Sequence, residues 1–201
     1  MAHHPTLVRI EELLPHEEVS KPRALQVARS IAETGAVLRP IIVEKRTLTI
    51  IDGHHRYTAL KMLGARYAPV VTASYGVEIE RIDPPRRILR ILAHSPEEAL
   101  IKAVEIIESS REPGPSRAML NLDGLEVIVR GSQESLHRIL GTPVLQAGSG
   151  RPYTIKVLIR PLEPRHVVKA SLAGEVYPIK TTIHRTPLKK LYYPVKLSTL
   201  I

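Results

Sequence analysis

The chain has 201 residues, 43% of them hydrophobic, with a formal net charge of +9 and no cysteine. Those values describe a globular protein with enough chain for one domain or two small interlocked lobes, and they exclude a disordered one. Disulfides, thiolate catalysis and zinc–thiolate sites are excluded as well, and no apolar run approaches the roughly 20 residues that cross a bilayer.

The apolar content is aliphatic, with seven Tyr and neither Phe nor Trp. The N-terminus carries no apolar signal segment, so a cytoplasmic location is expected. Absence of Cys, 17 prolines and an excess of Arg over Lys fit a heat-adapted protein. The positive charge suits a polyanionic partner, either nucleic acid or a small phosphorylated ligand. The basic residues are dispersed, however, in no block longer than a pair such as Arg86-Arg87 or Lys189-Lys190. There is no RNA-type aromatic motif, which weighs against nucleic acid. His3-His4 reads as a frayed tail.

Leu7 to Ile10 alternates and predicts a short strand. Pro15 bends the chain away from helix and places His16, Glu17 and Glu18 in a loop. A helix is predicted from Pro22, with Ser20 as its cap and Leu25, Ala28, Ile31 and Ala32 on its apolar face. Gly35 fits its end. Ile41-Ile42-Val43 after Pro40 reads as a buried strand, and Leu48 to Ile51 as its hairpin partner.

The stretch Ile50-Ile51-Asp52-Gly53-His54-His55-Arg56-Tyr57 then runs from strand through a tight turn into a helix that ends near Leu63-Gly64. A helix start of this kind aims backbone N–H groups and a positive dipole end at one point, which favours an anion such as phosphate. Ala68 to Val71 is the next strand.

Residues 76 to 93 mix extended and charged character and read as a crossing segment broken at Pro84-Pro85. Ser95-Pro96-Glu97-Glu98 opens a helix with capping-box spacing, and 111 to 115 is a loop. Leu125 to Val129 reads as a strand and Ser132 to Leu140 as a short helix. Gly148-Ser149-Gly150 reads as a hairpin-type connection. Tyr153 to Ile159 is an alternating strand, and Glu163 to Leu172 a helix stopped near Gly174. The segment from Glu175 to Arg185 places Lys180, Thr181, Thr182, His184 and Arg185 in one polar run, either a solvated surface or a face presented to a ligand.

No Ser-His-Asp order, HExxH, Walker A or G-x-G-x-x-G signature is present. His54 and His55 are adjacent and point about 100° apart in a helix, unlike a two-histidine metal clamp at i, i+4. Arg56 offers a planar fork for phosphate oxygens. Glu17 and Glu18 are either solvated loop acids or a held general base. Phosphoryl transfer requires a phosphate cradle, a magnesium ion and a base or orienting acid for the attacking hydroxyl. Gly53 to Arg56, Asp52 and a loop carboxylate can supply those parts.

Pro40-Ile41-Ile42-Val43, the short hairpin, Ile51-Asp52-Gly53-His54-His55-Arg56 and Ala59 through Leu63-Gly64 resemble the ParB/sulfiredoxin-like superfamily. Pro15-His16-Glu17, the Asp-Gly-His-His-Arg form of the box, and Gly174-Glu175-Val176-Tyr177 with Lys180-Thr181-Thr182 and His184 resemble the archaeal free L-serine kinases within it. The resemblance implies an α+β fold. It pairs a ParB/sulfiredoxin-like nucleotide-phosphate-binding lobe at residues 1–75 with a mixed α+β lobe at 76–201 that carries the substrate-binding C-terminal segment, a cleft lying between them. It implies phosphoryl transfer from ADP or ATP to the hydroxyl of free L-serine, a step of serine and cysteine metabolism. Glu17 would activate the hydroxyl. Asp52 would be the second essential acid, near the transferring phosphate and Mg2+. Gly53, His54, His55 and Arg56 would hold the nucleotide phosphates, and Lys180, Thr181, Thr182 and His184 the serine or its phosphate. The pattern departs at Ile179, where proline is expected, and at Ile183, where a basic residue is expected. A sulfiredoxin activity needs a cysteine that the chain lacks. A ParB-like nucleic-acid-binding or nuclease module is the alternative, and it would call for a helical DNA-binding domain after Tyr75.

Overall fold

Three consecutive apolar residues in a short strand cannot all face one side, so Ile41-Ile42-Val43 requires a sheet that is covered on both faces. The computed structural model describes residues 4–83, 87–108, 116–122, 125–131 and 148–201. It is a mixed α+β chain that divides into two compact units. The first unit is discontinuous: Met1–Ile82, Glu163–Ile179 and His184–Ile201. The second comprises Asp83–Leu162 and Lys180–Ile183. Sequence places a single division between residues 75 and 76; the compact units follow tertiary contacts instead and interleave along the chain.

The first unit is built on a four-stranded sheet of β1 (Thr6–Arg9), β5 (Tyr67–Ala73), β3 (Ile41–Glu44) and β4 (Ile50–Asp52), in that order. β1 is antiparallel and β3 parallel to β5, and β4 closes the sheet antiparallel to β3. Side-chain alternation divides the apolar residues cleanly. Ile41, Val43, Ile50, Ala68 and Val70 join one core with Ala28 and Ile31 of α1 (Lys21–Thr34) and Ala59 and Leu60 of α2 (His54–Met62). Ile42, Ile51, Val71 and Ala73 join the other with Ile79 and Leu188. Both faces of β3 are therefore buried, as the apolar run demands.

Two details of α1 differ from expectation. Its buried face runs through Ala24, Ala28 and Ile31, the last two as expected, while Leu25 and Ala32 are exposed, so the buried stripe is turned by roughly 40° from the predicted face. Ser20 sits at the N-cap position, but its side chain makes no capping hydrogen bond. The C-terminal chain completes this unit. α4 (Pro164–Leu172) packs Val167 and Ala170 inward, and β12 (Val195–Lys196) pairs with β2 (Ala36–Val37). Leu200 is fully buried, with its carbonyl accepting from the backbone N–H of Arg66 at 2.6 Å and of Tyr67 at 2.9 Å.

The second unit contains an antiparallel sheet ordered β7 (Arg87–Ala93), β10 (Arg151–Leu158), β8 (Ser116–Leu122) and β9 (Leu125–Gly131), against which α3 (Pro96–Glu108) packs. Along β10, Tyr153, Ile155 and Val157 are buried and the intervening residues exposed. β7 lies in the stretch expected to be a crossing segment. Its arginines mask an alternation in which Leu89, Ile91 and Ala93 face the core. Gly150 enables the β7–β10 pairing, because a Cβ there would meet the Ala93 carbonyl oxygen at 2.2 Å. The cap of α3 is offset by one residue from a capping box: Ser95 Oγ accepts from the Glu98 N–H at 3.1 Å, and Glu98 accepts from the His94 N–H at 2.8 Å. The helix expected at 132–140 and the loop at 111–115 lie outside the described residues. β6 (Arg81–Asp83) and β11 (Ile183–Arg185) form a two-stranded ribbon. No helix among the described residues is long and apolar enough to cross a membrane.

Candidate functional site

β4 delivers Asp52 to the edge of the turn that opens α2. Gly53 makes that turn with φ +108°, in the left-handed region open to glycine, and a Cβ on it would lie 3.0 Å from Arg56 Nη2. Glycine thus allows both the turn and the return of the Arg56 side chain across it. The Arg56 guanidinium donates to Asp52 Oδ2, to the Arg39 carbonyl at 2.9 Å and to the Pro40 carbonyl at 2.5 Å. Lys189 Nζ stands 3.6 Å from Asp52 Oδ1. One carboxylate therefore lies between two cations at a helix N-terminus whose cap residue has no side chain to satisfy the first amides. This is an electropositive setting suited to a phosphate. Arg56, expected on the phosphates, here binds Asp52 and the Arg39-Pro40 corner, and so fixes the acid.

His54 turns into the protein and reaches the loop that carries Glu17. Its Nε2 accepts from the His16 backbone N–H at 3.3 Å, so the neutral ring carries its proton on Nδ1. The His16 and His54 rings meet edge to face at 4.7 Å, and His16 meets His184 in the same way at 5.6 Å. His184 Nε2 lies 2.9 Å from the Tyr75 hydroxyl. Burial disfavours the charged form of all three imidazoles. It holds His16 and His184 well below the usual histidine range and His54 at about 3, with the neighbouring imidazoles adding to the effect, joined by Lys189 at His184 and Arg56 at His54. Tyr75 is pushed above its ordinary value by its own burial. The stack is thus an array of neutral rings. Among the described residues no group of three or more His, Asp or Glu side chains is placed to hold a metal ion.

Glu17 is fixed through its backbone. The Glu18 N–H donates to the Tyr177 carbonyl at 2.9 Å and the Tyr177 N–H to the His16 carbonyl at 2.8 Å, so the loop forms a parallel bridge with the C-terminal segment. On its other side Leu14 bonds Leu48 and Ile50. Tyr177 is buried and anchors the bridge. Of the expected site residues, Glu17, Asp52, Gly53, His54, His55, Arg56 and His184 fall in the first unit. Lys180, Thr181 and Thr182 count with the second. Lys180 adopts a left-handed φ of +61°, rare for a residue with a side chain, and Thr181 is fully buried. Sequence assigns no site role to Tyr75, Arg39 or Lys189, and Tyr177 enters only as part of a motif.

No family model matches the chain. Over 75 residues it is 36% identical to an ATP-dependent L-serine kinase of Staphylothermus marinus, covering 35% of this chain and 30% of the relative. Over 72 residues it is 29% identical to the ADP-dependent L-serine kinase SerK of Thermococcus kodakarensis, covering 34% and 30%. The match thus spans less than a third of either relative. A solved free serine kinase in complex with AMP superposes with a TM-score of 0.69 over 100% of this chain and 95% of its own, at 17% identity. The chain carries the free serine kinase fold. The likeness extends to all of that fold, whereas the sequence identity to the curated kinases is confined to about a third of the chain.

Proposed function

We propose that the chain is a small-molecule kinase that transfers the terminal phosphoryl group of ADP or ATP to the hydroxyl of free L-serine, giving O-phospho-L-serine. The observation that carries this is the bond from the His16 N–H to His54 Nε2. It ties the loop bearing Glu17 to the first residue of α2, and so joins a carboxylate able to take a proton to a helix start able to hold a phosphate. The likeness to free serine kinases, in fold and over part of the sequence, supports the choice of acceptor.

On this reading the Glu17 carboxylate takes the serine hydroxyl proton as the hydroxyl oxygen bonds the terminal phosphorus. The bond from that phosphorus to its bridging oxygen breaks, and the electron pair leaves with AMP or ADP. The amides at the start of α2, with Gly53, His54, His55 and Arg56, hold the donor's phosphates. Lys180, Thr181, Thr182 and His184 hold the acceptor. Mg2+ fits the oxygen donor set here: Asp52 Oδ1 faces Lys189 at 3.6 Å, too long for a direct hydrogen bond, and magnesium is commonly held by one or two carboxylates together with substrate phosphates. Bound there, it would neutralise charge on the phosphoryl oxygens.

The test is Glu17→Gln. Loss of the base lowers turnover by roughly 10²–10⁴-fold, while ADP affinity measured by calorimetry stays close to wild type. Unchanged turnover moves the role off Glu17, and lost nucleotide binding assigns that carboxylate to the donor.

A further inference from the structure

We infer that Lys189 is a further residue of the phosphoryl-transfer site, contacting the donor's transferring phosphate. It lies in the short 3-10 turn Pro187–Lys190, far in sequence from the strand-turn-helix it reaches. Two features of the turn aim it. Leu188 is buried against Ile42, Ile51 and Val71 on the sheet face beneath β4. The Thr186 hydroxyl accepts the Leu188 N–H at 3.2 Å, fixing the turn's start. From this base the ammonium reaches Asp52 Oδ1 at 3.6 Å. That is a loose ion pair, unlike the close Arg56–Asp52 contact on the other carboxylate oxygen.

The charges around Asp52 distinguish the two cations. Arg56 commits three of its five N–H donors to Asp52, Arg39 and Pro40 and so braces the acid. Lys189 keeps a compact three-donor ammonium, held at one carboxylate oxygen beyond ordinary hydrogen-bond length. The Lys189 charge also reaches His184, where it is one of the causes that keep that imidazole neutral. The ammonium therefore lies near both Asp52 and His184, the residues proposed for the donor and acceptor sides. An ammonium so placed stabilises the charge on a phosphoryl group passing between them, as fixed cations do in phosphoryl transfer.

The proposal rests on the kinase reading, and the experiment keeps the two apart. Wild type, Lys189→Met and Lys189→Arg are titrated calorimetrically with ADP and with adenosine, and O-phosphoserine formation is timed for each. Lys189→Met is expected to weaken ADP at least about tenfold, leave adenosine unchanged and lower kcat by roughly 10²-fold; Lys189→Arg is expected to recover most of both losses. Unchanged ADP affinity in Lys189→Met overturns the assignment. An equal loss for adenosine also overturns it, because the effect would then not be read through the phosphates. A wild type that binds ADP and forms no O-phosphoserine contradicts the kinase reading, while the ADP-to-adenosine comparison still decides whether Lys189 meets phosphate.

Discussion

Gly53 carries the sharpest constraint at the scale of single residues. Alanine there must adopt a φ of +108° and place its Cβ 3.0 Å from Arg56 Nη2, so it strains the backbone and pushes away the brace on Asp52. Gly53→Ala is expected to cost of order 1–3 kcal/mol in urea unfolding and to weaken nucleotide binding as well. A variant as stable as wild type would show that the turn relaxes at no cost. The histidine stack predicts a pH dependence of fixed sign. Unfolded, each imidazole takes up its proton near pH 6.5; folded, His54 does so only near pH 3 and His16 and His184 also well below 6.5. The unfolded chain binds more protons in that interval, so stability is full above pH 6.5 and is lost as pH falls toward the folded values. The slope is about 1.4 kcal/mol per pH unit for each such group. Urea midpoints should drop on acidification from about pH 7 to about pH 5, the range in which histidine titrates, and His54→Gln should flatten the curve. A flat wild-type curve contradicts the neutral stack.

Elements show where sequence is informative and where it stops. β3, β4, α2 and β5 are legible because each carries its own signal: an apolar run, a Gly turn, a helical spacing. Asp52 to Arg56 is legible for the same reason, its geometry being set within eight residues. Lys189 was not, because a lysine in a Lys-Lys pair looks like surface charge until Leu188 is seen buried beneath the sheet. The contact of Tyr75 with His184 spans 109 positions and leaves no local trace. β7 was obscured by Arg87 and Arg90, and the phase of α1 by Leu25, a large apolar residue on an exposed face. A second long-range link invites a test. The Thr49 hydroxyl on the β3–β4 hairpin meets Ser171 Oγ of α4 at 2.6 Å in the interior. Ser171→Ala removes this bond while Thr49 keeps Thr47 Oγ1 at 2.8 Å, and should cost about 0.5–1.5 kcal/mol. Adding Thr49→Val should cost less than the sum of the two single changes in a double-mutant cycle. Strict additivity would mean the two hydroxyls do not interact.

Across the whole molecule, the compact unit that holds Asp52 and Glu17 is assembled from three separated pieces of chain. The last of them contributes β12, the buried Leu200 and a carbonyl that accepts the backbone N–H groups of Arg66 and Tyr67 at the start of β5. Removing residues 195–201 should therefore lower the thermal midpoint and weaken nucleotide binding together, although no residue of that segment is assigned to the site. An unchanged melt would show that the first unit closes without its C-terminal strand. The same interleaving brings Glu17 and His184, far apart in sequence, into the one compact unit that holds the turn at residues 52–56, proposed to take phosphate. The most direct measurement of the central claim is 31P nuclear magnetic resonance of the purified chain with L-serine, Mg2+ and either ADP or ATP. An O-phospho-L-serine signal should grow in step with AMP or ADP. No O-phosphoserine from either donor, with or without phosphorylation of another hydroxyl compound, contradicts the claim.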